Sequence, residues 1–156
     1  MPIRTPKLRQ GFTLIELLLI IGIIGILVTI VIVAINPQKK IGGARDAQRK
    51  SDVQTILSAV YQYEIDNNGN LPSGIPTGTP KAICQATILP VVCVGAPYFG
   101  VNLRMLTGSY LTSIPKDPQI IQTGTGTNYT IVQDANGKIT VAAPGAEEGE
   151  KIFVTR

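Results

Sequence analysis

The hydrophobic positions of this chain are distributed very unevenly. From Leu17 to Ile35 nineteen consecutive residues carry no charge, whereas the rest of the chain is far more polar. A run of this length is typical of a membrane-spanning helix and exceeds what a buried helix of a soluble domain needs. As a helix, the segment from Phe12 to Ile35 would extend roughly 36 Å, which is long enough to cross a bilayer.

A proline interrupts the helical pattern directly after the apolar run. Proline lacks a backbone donor and clashes with the preceding turn, so Asn36-Pro37 predicts a kink at Pro37. Asn36 can also cap a second helix that has Pro37 in its first turn. The pair Gly42-Gly43 weakens the helix again shortly afterwards.

The helical period then returns and predicts an amphipathic helix over about 37–67. Its apolar stripe consists of Ala47, Val53, Ile56, Leu57, Val60 and Tyr63. Five charged residues are predicted to lie largely outside the stripe: Arg45, Arg49, Lys50, Asp52 and Glu64. We expect the stripe to pack on the chain's own sheet, Asp46 and Lys50 to form a weak ion pair, and Gly69 to cap the helix end.

The C-terminal half predicts a small antiparallel sheet. Residues 68–97 are rich in proline and glycine and are expected to form a long irregular connection. β-rich runs over 127–133 and 138–142 flank Asn136-Gly137, a strong hairpin signal, and 151–155 adds a third short strand. With a short helix expected around 103–111, the predicted fold class is α+β: a long hydrophobic helix continues into an amphipathic helix packed on a sheet spanning about 127–155.

Composition gives little support to catalysis or to nucleic-acid binding. The formal charge of +4 arises mostly near the N-terminus, and a chain beginning at Phe12 would carry eleven basic and ten acidic residues. Such a small excess is a weak argument for nucleic acid as a partner. Histidine is absent, which removes the commonest general base and a frequent metal ligand. We therefore expect no enzyme activity, no metal site and no cofactor.

The N-terminus differs from an ordinary secretory signal, because the apolar stretch is longer and no small-residue cleavage site follows it. The string KLRQGFTLIELLLIIGIIGIL, from Lys7 to Leu27, resembles the N-terminus of type IV pilins and of the pseudopilins of type II secretion. The resemblance implies that a prepilin peptidase cleaves after Gly11 and methylates the new amine of Phe12. It divides the chain into a leader (1–11), a transmembrane or filament-core helix (12–35) and a globular pilin-like domain (36–156).

Glu16 is an acidic residue near the start of the apolar segment. A carboxylate within the hydrocarbon region costs about 2.5–3.5 kcal/mol on insertion scales unless it is paired or reaches water. The family resemblance implies that Glu16 meets the N-terminal amine of Phe12 on a neighbouring subunit during assembly. The alternative is that Glu16 lies near the interface and is simply hydrated.

The orientation in the membrane is undecided on charge, because the two flanks of the apolar segment carry similar numbers of Lys and Arg. The leader resemblance and the two cysteines favour an exported C-terminal part. In an exported domain, Cys84 and Cys93 are expected to form one disulfide that fixes the loop between them, with free buried thiols as the alternative.

The pattern YL-x-x-IP-x-DP, from Tyr110 to Pro118, is a second and weaker resemblance to the globular domains of pilins and major pseudopilins. Acidic residues occur in and after this region, at Asp117, Asp134, Glu147, Glu148 and Glu150. Their oxygen atoms would suit calcium, but no ligand spacing compels that interpretation, so we expect a solvated surface.

These observations predict a structural subunit of a type IV pilus-like filament. The subunit would be stored in the cytoplasmic membrane as a single-pass protein, surrounded by lipid, and assembled into an extracellular filament at the cell surface. Its partners would be copies of itself, the prepilin peptidase and the pilus or secretion assembly machinery. The alternatives are a major pseudopilin of a type II secretion system, a membrane-anchored binding module that does not polymerise, and a membrane-tethered enzyme, for which no residues can be nominated.

Overall fold

The computed structural model describes residues 11–85, 100–120 and 125–156. The chain divides into two compact units, one up to Lys40 and the other from Ile41 to Arg156. The first unit contains α1 (Leu14–Ile35). The helix α2 (Pro37–Asp66) begins in the first unit and runs through the second.

The interruption between the two helices falls at Asn36. Its backbone adopts a left-handed conformation, with φ 45° and ψ 75°. Its side-chain oxygen accepts a hydrogen bond from the backbone N–H of Lys39 at 3.4 Å, as the predicted cap of a second helix should. Pro37 is the first residue of α2, where its missing N–H costs no helical hydrogen bond. The kink predicted at Pro37 stays a prediction.

The end of α2 has a left-handed glycine, as predicted for Gly69. Gly69 has a φ of 82° and donates its N–H to the carbonyl of Glu64 at 2.8 Å, which satisfies one of the last open carbonyls of the helix. Asn68, just before it, is also left-handed at φ 55°. The predicted cap at Gly69 is therefore confirmed.

The second unit contains a five-stranded sheet in the order β2-β1-β3-β4-β5. The strands are β1 (Lys81–Cys84), β2 (Val101–Asn102), β3 (Gly126–Gln133), β4 (Ile139–Ala143) and β5 (Ile152–Thr155). All neighbours pair antiparallel except β1 and β2, which are parallel. Strands β3, β4 and β5 confirm the three predicted strands to within one residue.

Strands β1 and β2 were not predicted, and one predicted helix is much shorter than expected. Residues 81–84 lie within the stretch predicted to be an irregular loop, yet they pair with β3 as β1. A four-residue strand beside Pro80 gives almost no local signal, and only its partner β3 makes it a strand. The predicted helix around 103–111 is reduced to a single 3₁₀ turn, Arg104–Leu106. Residues 86–97 of the predicted loop lie outside the described residues.

The hairpin between β3 and β4 forms as predicted. Gly137 has a φ of 86°, which side chains disfavour. The Asp134 carboxylate accepts the N–H groups of Asn136 and Lys138, both at 2.8 Å. The turn therefore fixes the register in which Gln133 lies opposite Ile139.

The hydrophobic core lies between α2 and one face of the sheet. Helix α2 contributes Val53, Ile56, Leu57 and Val60, as predicted, and β3 and β4 contribute Ile131 and Val141 among others. Two members of the predicted stripe differ: Ala47 is exposed, and Tyr63 is only partly buried. Toward the start of α2 the buried face consists instead of Gly42, Asp46, Arg49 and Asp52.

Candidate assembly site

The first turn of α1 is held by a capping box. Thr13, in an extended conformation, precedes the helix, and its hydroxyl accepts the backbone N–H of Glu16 at 3.3 Å. In return, the carboxylate of Glu16 accepts the N–H of Thr13 at 3.4 Å. The pattern T-x-x-E before an apolar run signals such a box, but the sequence interpretation of Glu16 did not use it.

The capping box gives Glu16 a position independent of any partner. The carboxylate lies over the N-terminal turn of α1, where unpaired N–H groups and the helix dipole favour negative charge. It also satisfies an N–H that would otherwise have no acceptor in an apolar environment. Gly11 and Phe12 lie exposed before the helix, and 73% of Phe12 is accessible. The predicted pairing of Glu16 with Phe12 of a neighbouring subunit stays a prediction.

Helix α1 has no buried residue within its own unit. Its apolar side chains are exposed along the whole length, from Leu14 at 80% to Ile35 at 53%. The helix is long and apolar enough to cross a membrane. Gly22 and Gly25 have open space where a Cβ would lie, so another molecule could approach the backbone closely there.

A second cluster of polar residues lies inside the C-terminal unit and centres on Arg49. The guanidinium is fully buried, and each of its hydrogen-bonding groups has an acceptor. Nε and Nη2 bind the two carboxylate oxygens of Asp117 at 2.8 and 3.0 Å. Nη1 binds Asp46 at 2.7 Å and Glu147 at 2.9 Å. Nη2 also reaches Gln119 at 2.8 Å.

The loop between β4 and β5, residues 144–151, is attached to α2 by several further contacts. Arg45 binds both carboxylate oxygens of Glu147, at 2.7 and 2.5 Å. The backbone N–H of Glu147 donates to the carboxylate of Asp46 at 3.0 Å. Near the end of the loop, Glu150 lies 2.6 Å from the amine of Lys50.

Asp52 follows Arg49 on the buried face of α2 and contacts Tyr129, a residue of the hydrophobic core. Its carboxylate accepts the hydroxyl of Tyr129, in β3, at 2.6 Å and the side-chain amide of Gln48 at 2.8 Å. Both Asp52 and Tyr129 are buried. The charge of Asp52 is therefore stabilised by two donors rather than by a cation.

These contacts shift the protonation equilibria in the directions that stabilise the charged cluster. The hydrogen bond to Asp117 raises the pKa of Arg49 further above its ordinary value. Burial alone would raise the pKa of Asp117, but the bonds from Arg49 and from the N–H of Gln119 outweigh it and lower the pKa. The bond from Arg45 lowers the pKa of Glu147 to about 2. Burial, together with Asp52, raises the pKa of the Tyr129 hydroxyl.

The cluster corrects several sequence predictions. Arg49 and Asp52 were placed outside the buried face, but both are buried. The predicted ion pair of Asp46 with Lys50 is replaced by pairs of Asp46 with Arg49 and of Lys50 with Glu150. The helical period alone could have indicated the burial of Arg49, because positions 42, 46, 49, 53, 56 and 60 lie on one face of α2. Polar and charged residues occupy the first half of this face, which is why it was assigned to solvent.

Two of the acidic residues expected at a solvated surface are instead structural. Asp117 is fully buried, and Glu147 is bound by two arginines. Guanidinium groups occupy the space next to these carboxylates. Among the described residues, no group of three or more His, Cys, Asp or Glu side chains is arranged to hold a metal ion.

The remaining predicted site residue pair is the cysteines. Cys84 is fully buried in β1 and is disulfide-bonded. Cys93 lies outside the described residues, so the predicted Cys84–Cys93 pair stays a prediction. Leader residues 1–10 likewise lie outside the described residues.

A shallow groove of about 360 Å³ runs along the exposed side of α2. It is lined by uncharged polar residues of the helix, such as Ser51, Thr55 and Gln62, and by Tyr110 and Leu111. Its hydroxyl groups, such as those of Ser51 and Thr55, have no carboxylate, amine or thiol in the groove lining that could activate them.

Comparison with known proteins gives two matches. Residues 6–35 match the family described as the prokaryotic N-terminal methylation motif. The match spans Gly11, Phe12 and Thr13 together with the whole of α1, including Glu16. Over 140 residues the chain is 25% identical to the type II secretion system core protein G of Pectobacterium carotovorum subsp. carotovorum, covering 89% of this chain and 77% of that protein. No solved structure matches the chain significantly.

Proposed function

We propose that this chain, a subunit of the type IV pilin and pseudopilin class, is the structural subunit of a type IV pilus-like filament. The precursor is held in the cytoplasmic membrane by α1, cleaved between Gly11 and Phe12, methylated at Phe12, and assembled through α1 into a filament at the cell surface.

The observation that carries the proposal is the exposure of α1. A helix of 22 residues presents only apolar side chains, Thr29 and one glutamate, and buries none of them within its unit. Such a surface needs lipid or other helices around it. The methylation motif covers this same segment. This match supports the proposal that the neighbours of α1 are the α1 helices of identical subunits.

In a filament, α1 exchanges lipid contacts for contacts with identical helices. Gly22 and Gly25 allow close approach, and dispersion between closely packed helices then replaces contacts with lipid. Glu16 supplies the polar part of the interface. Once cleavage creates an amine at Phe12, pairing between the amine of one subunit and the Glu16 carboxylate of another offsets the cost of a charge in an apolar core.

The first test is intact-mass and N-terminal peptide analysis of the protein from its native membrane. We expect a chain that begins at N-methyl-Phe12. Mature cell-surface material that still begins at Met1 would contradict processing and leave only a membrane anchor.

The second test separates a filament subunit from a binding module that does not polymerise. Cross-linking in membranes should give ladders of oligomers for the native chain and lose them for Glu16→Ala, while a matched change in the same helix, Thr29→Ala, should keep them. A Glu16→Ala chain that still assembles would favour the binding module.

A second candidate function is the pseudopilin of a type II secretion system, which forms a short periplasmic filament. The similarity to the core protein G of such a system supports it. Deletion of the gene distinguishes the two functions: loss of surface filaments in electron micrographs indicates a pilus, and loss of protein secretion with unchanged surface filaments indicates a pseudopilus.

A further inference from the structure

The start of α2 within the C-terminal unit, residues 42–50, has little support of its own. Gly42 and Gly43 are poor helix formers, each about 1 kcal/mol less favourable than alanine in a helix interior. No apolar side chain of α2 is buried before Val53. Helices of this kind usually owe their stability to tertiary packing, so residues 42–50 must obtain it from polar contacts.

Asp117 and Gln119 supply part of these contacts, through Arg49. The others come from the distant loop between β4 and β5. Glu147 is about one hundred residues later in the chain and binds Arg45, Arg49 and, through its N–H, Asp46. The loop also covers the backbone of Gly42: a Cβ there would lie 3.3 Å from the Glu148 carboxylate and 3.4 Å from that of Glu147. One loop therefore contacts about two turns of the helix, from Gly42 to Arg49.

The loop can take this position only when its own strands are paired. It connects β4 to β5, and the pairing of Ala143 with Ile152 closes its two ends. Beyond β5, Arg156 exchanges two backbone hydrogen bonds with Ile139, and its carbonyl accepts the hydroxyl of Tyr61. The contacts that this loop makes with the beginning of α2 thus depend on the last strand of the sheet.

We propose that the loop 144–151 is a latch that must dock before the start of α2 becomes rigid. The helix beyond Val53 is stabilised by the hydrophobic core, whereas residues 42–50 remain in exchange with unfolded conformations until Glu147 engages Arg45 and Arg49. The latch makes the rigidity of residues 42–50 depend on the pairing of β5, the last strand of the sheet, with β4. It is independent of the proposed filament function.

Hydrogen–deuterium exchange of the full chain in detergent micelles tests this dependence. Glu147→Gln removes the charge that binds the two arginines and keeps the shape of the side chain. We expect exchange of the amides in 43–50 to become faster by about tenfold or more, because local opening then costs less free energy. Exchange in 53–60 and in β3 should change less than about twofold.

Glu150→Gln is the matched control, since it removes a carboxylate of the same loop that contacts only Lys50 among the ion pairs described. It should leave exchange in 43–50 within about twofold of the native rate. An unchanged rate in the Glu147→Gln chain, or an equal rise throughout the C-terminal unit, would overturn the latch.

Pulse labelling during refolding from urea tests the order of events. Protection of 43–50 should appear together with protection of β5 and later than protection of 53–60. If 43–50 became protected before β5, the helix start would not need the latch and the proposal would fail.

Discussion

The two parts of this chain use charged and apolar residues in opposite ways. Helix α1 exposes its apolar side chains and has a single carboxylate, whereas the start of α2 buries Arg49, Asp46 and Asp52. Both stretches are regular helix, so secondary structure does not account for the contrast. The difference lies in the surroundings of the side chains. No residue of α1 is buried within its unit. At the start of α2 the side chains are buried, and every buried polar side-chain atom among the described residues has a hydrogen-bond partner.

The comparison shows that burial follows the availability of partners. A buried arginine is tolerated here because five acceptors surround it, and desolvation is offset by bidentate and additional hydrogen bonds. The exposed isoleucines on α1 have no such cover within their unit. In the proposed function, lipid or another helix would cover them.

The sharpest way to break the buried arrangement is to remove Asp117. Asp117→Ala leaves two guanidinium donors of Arg49 without acceptors in a site closed to water, so we expect unfolding to become easier by about 3–5 kcal/mol. Urea denaturation of the full chain in detergent, followed by circular dichroism, measures it.

A double variant, Arg49→Leu with Asp117→Leu, tests whether charge itself stabilises the unit. Removing both side chains leaves no guanidinium without acceptors, while Asp46 keeps the backbone N–H of Glu147 as a donor and Glu147 keeps the guanidinium of Arg45. The double variant should therefore be closer to the native stability than Asp117→Ala. Equal losses in the two would show that cavity or packing effects, not an unpaired charge, explain the single variant.

The same substitution placed in each region compares them directly. Ile56 is fully buried in the core, and Ile56→Ala should cost about 2–5 kcal/mol. Ile24 lies on α1 with half of its surface accessible, and Ile24→Ala should change the unfolding of the C-terminal unit by no more than about 0.5 kcal/mol. Denaturation curves of the two variants under identical conditions decide this, and similar losses would remove the contrast between the units.

The contrast also explains which features could be predicted from sequence. The apolar run, the proline break and the Asn136-Gly137 hairpin are local signals, and the structure has α1, the interruption at Asn36 and β3–β4 where they were expected. Apolar positions of α2 such as Val53 and Ile56 follow the helical period and are in the core. Each of these features is determined by residues close together in the chain.

The features that were missed depend on distant residues. Arg49 and Asp117 are far apart in the chain, and no local pattern indicates that one neutralises the other. A charged residue on the buried face of a helix is ordinarily assigned to solvent, because burial is costly without a partner. Strand β1 was missed for the same reason, since only pairing with β3 distinguishes it from a loop.

Acidification should weaken the latch before it affects the hydrophobic core. The pKa of Glu147 falls from its ordinary 4.5 to about 2 on folding, so the ionised carboxylate stabilises the folded state above about pH 4.5. The stabilisation by the Glu147 carboxylate is lost as the pH falls through 2. Because Glu147→Gln lacks this stabilisation, the urea midpoint of the variant should lie below that of the native chain at pH 7. The two midpoints should converge between about pH 4.5 and 2.

Asp117 titrates in the native and the Glu147→Gln chains alike, and its pKa is also lowered on folding. Both chains should therefore lose stability in acid, and the informative quantity is the difference between their midpoints. A difference that stays constant from pH 7 to pH 2 would mean that Glu147 acts through packing and not through its charge.

The smallest expected effect compares two adjacent glycines in the same helix. Gly43 has no atom within 4 Å of the position of a Cβ, so Gly43→Ala should stabilise the chain by about 0.4–1 kcal/mol through reduced freedom of the unfolded state. Gly42→Ala gains the same term, but its Cβ would meet the Glu148 and Glu147 carboxylates at 3.3 and 3.4 Å. Those carboxylates would have to shift, so the gain should be reduced or lost. Urea midpoints of the two variants measure the difference; an equal gain at both positions would show that the loop 144–151 does not press on the helix at Gly42.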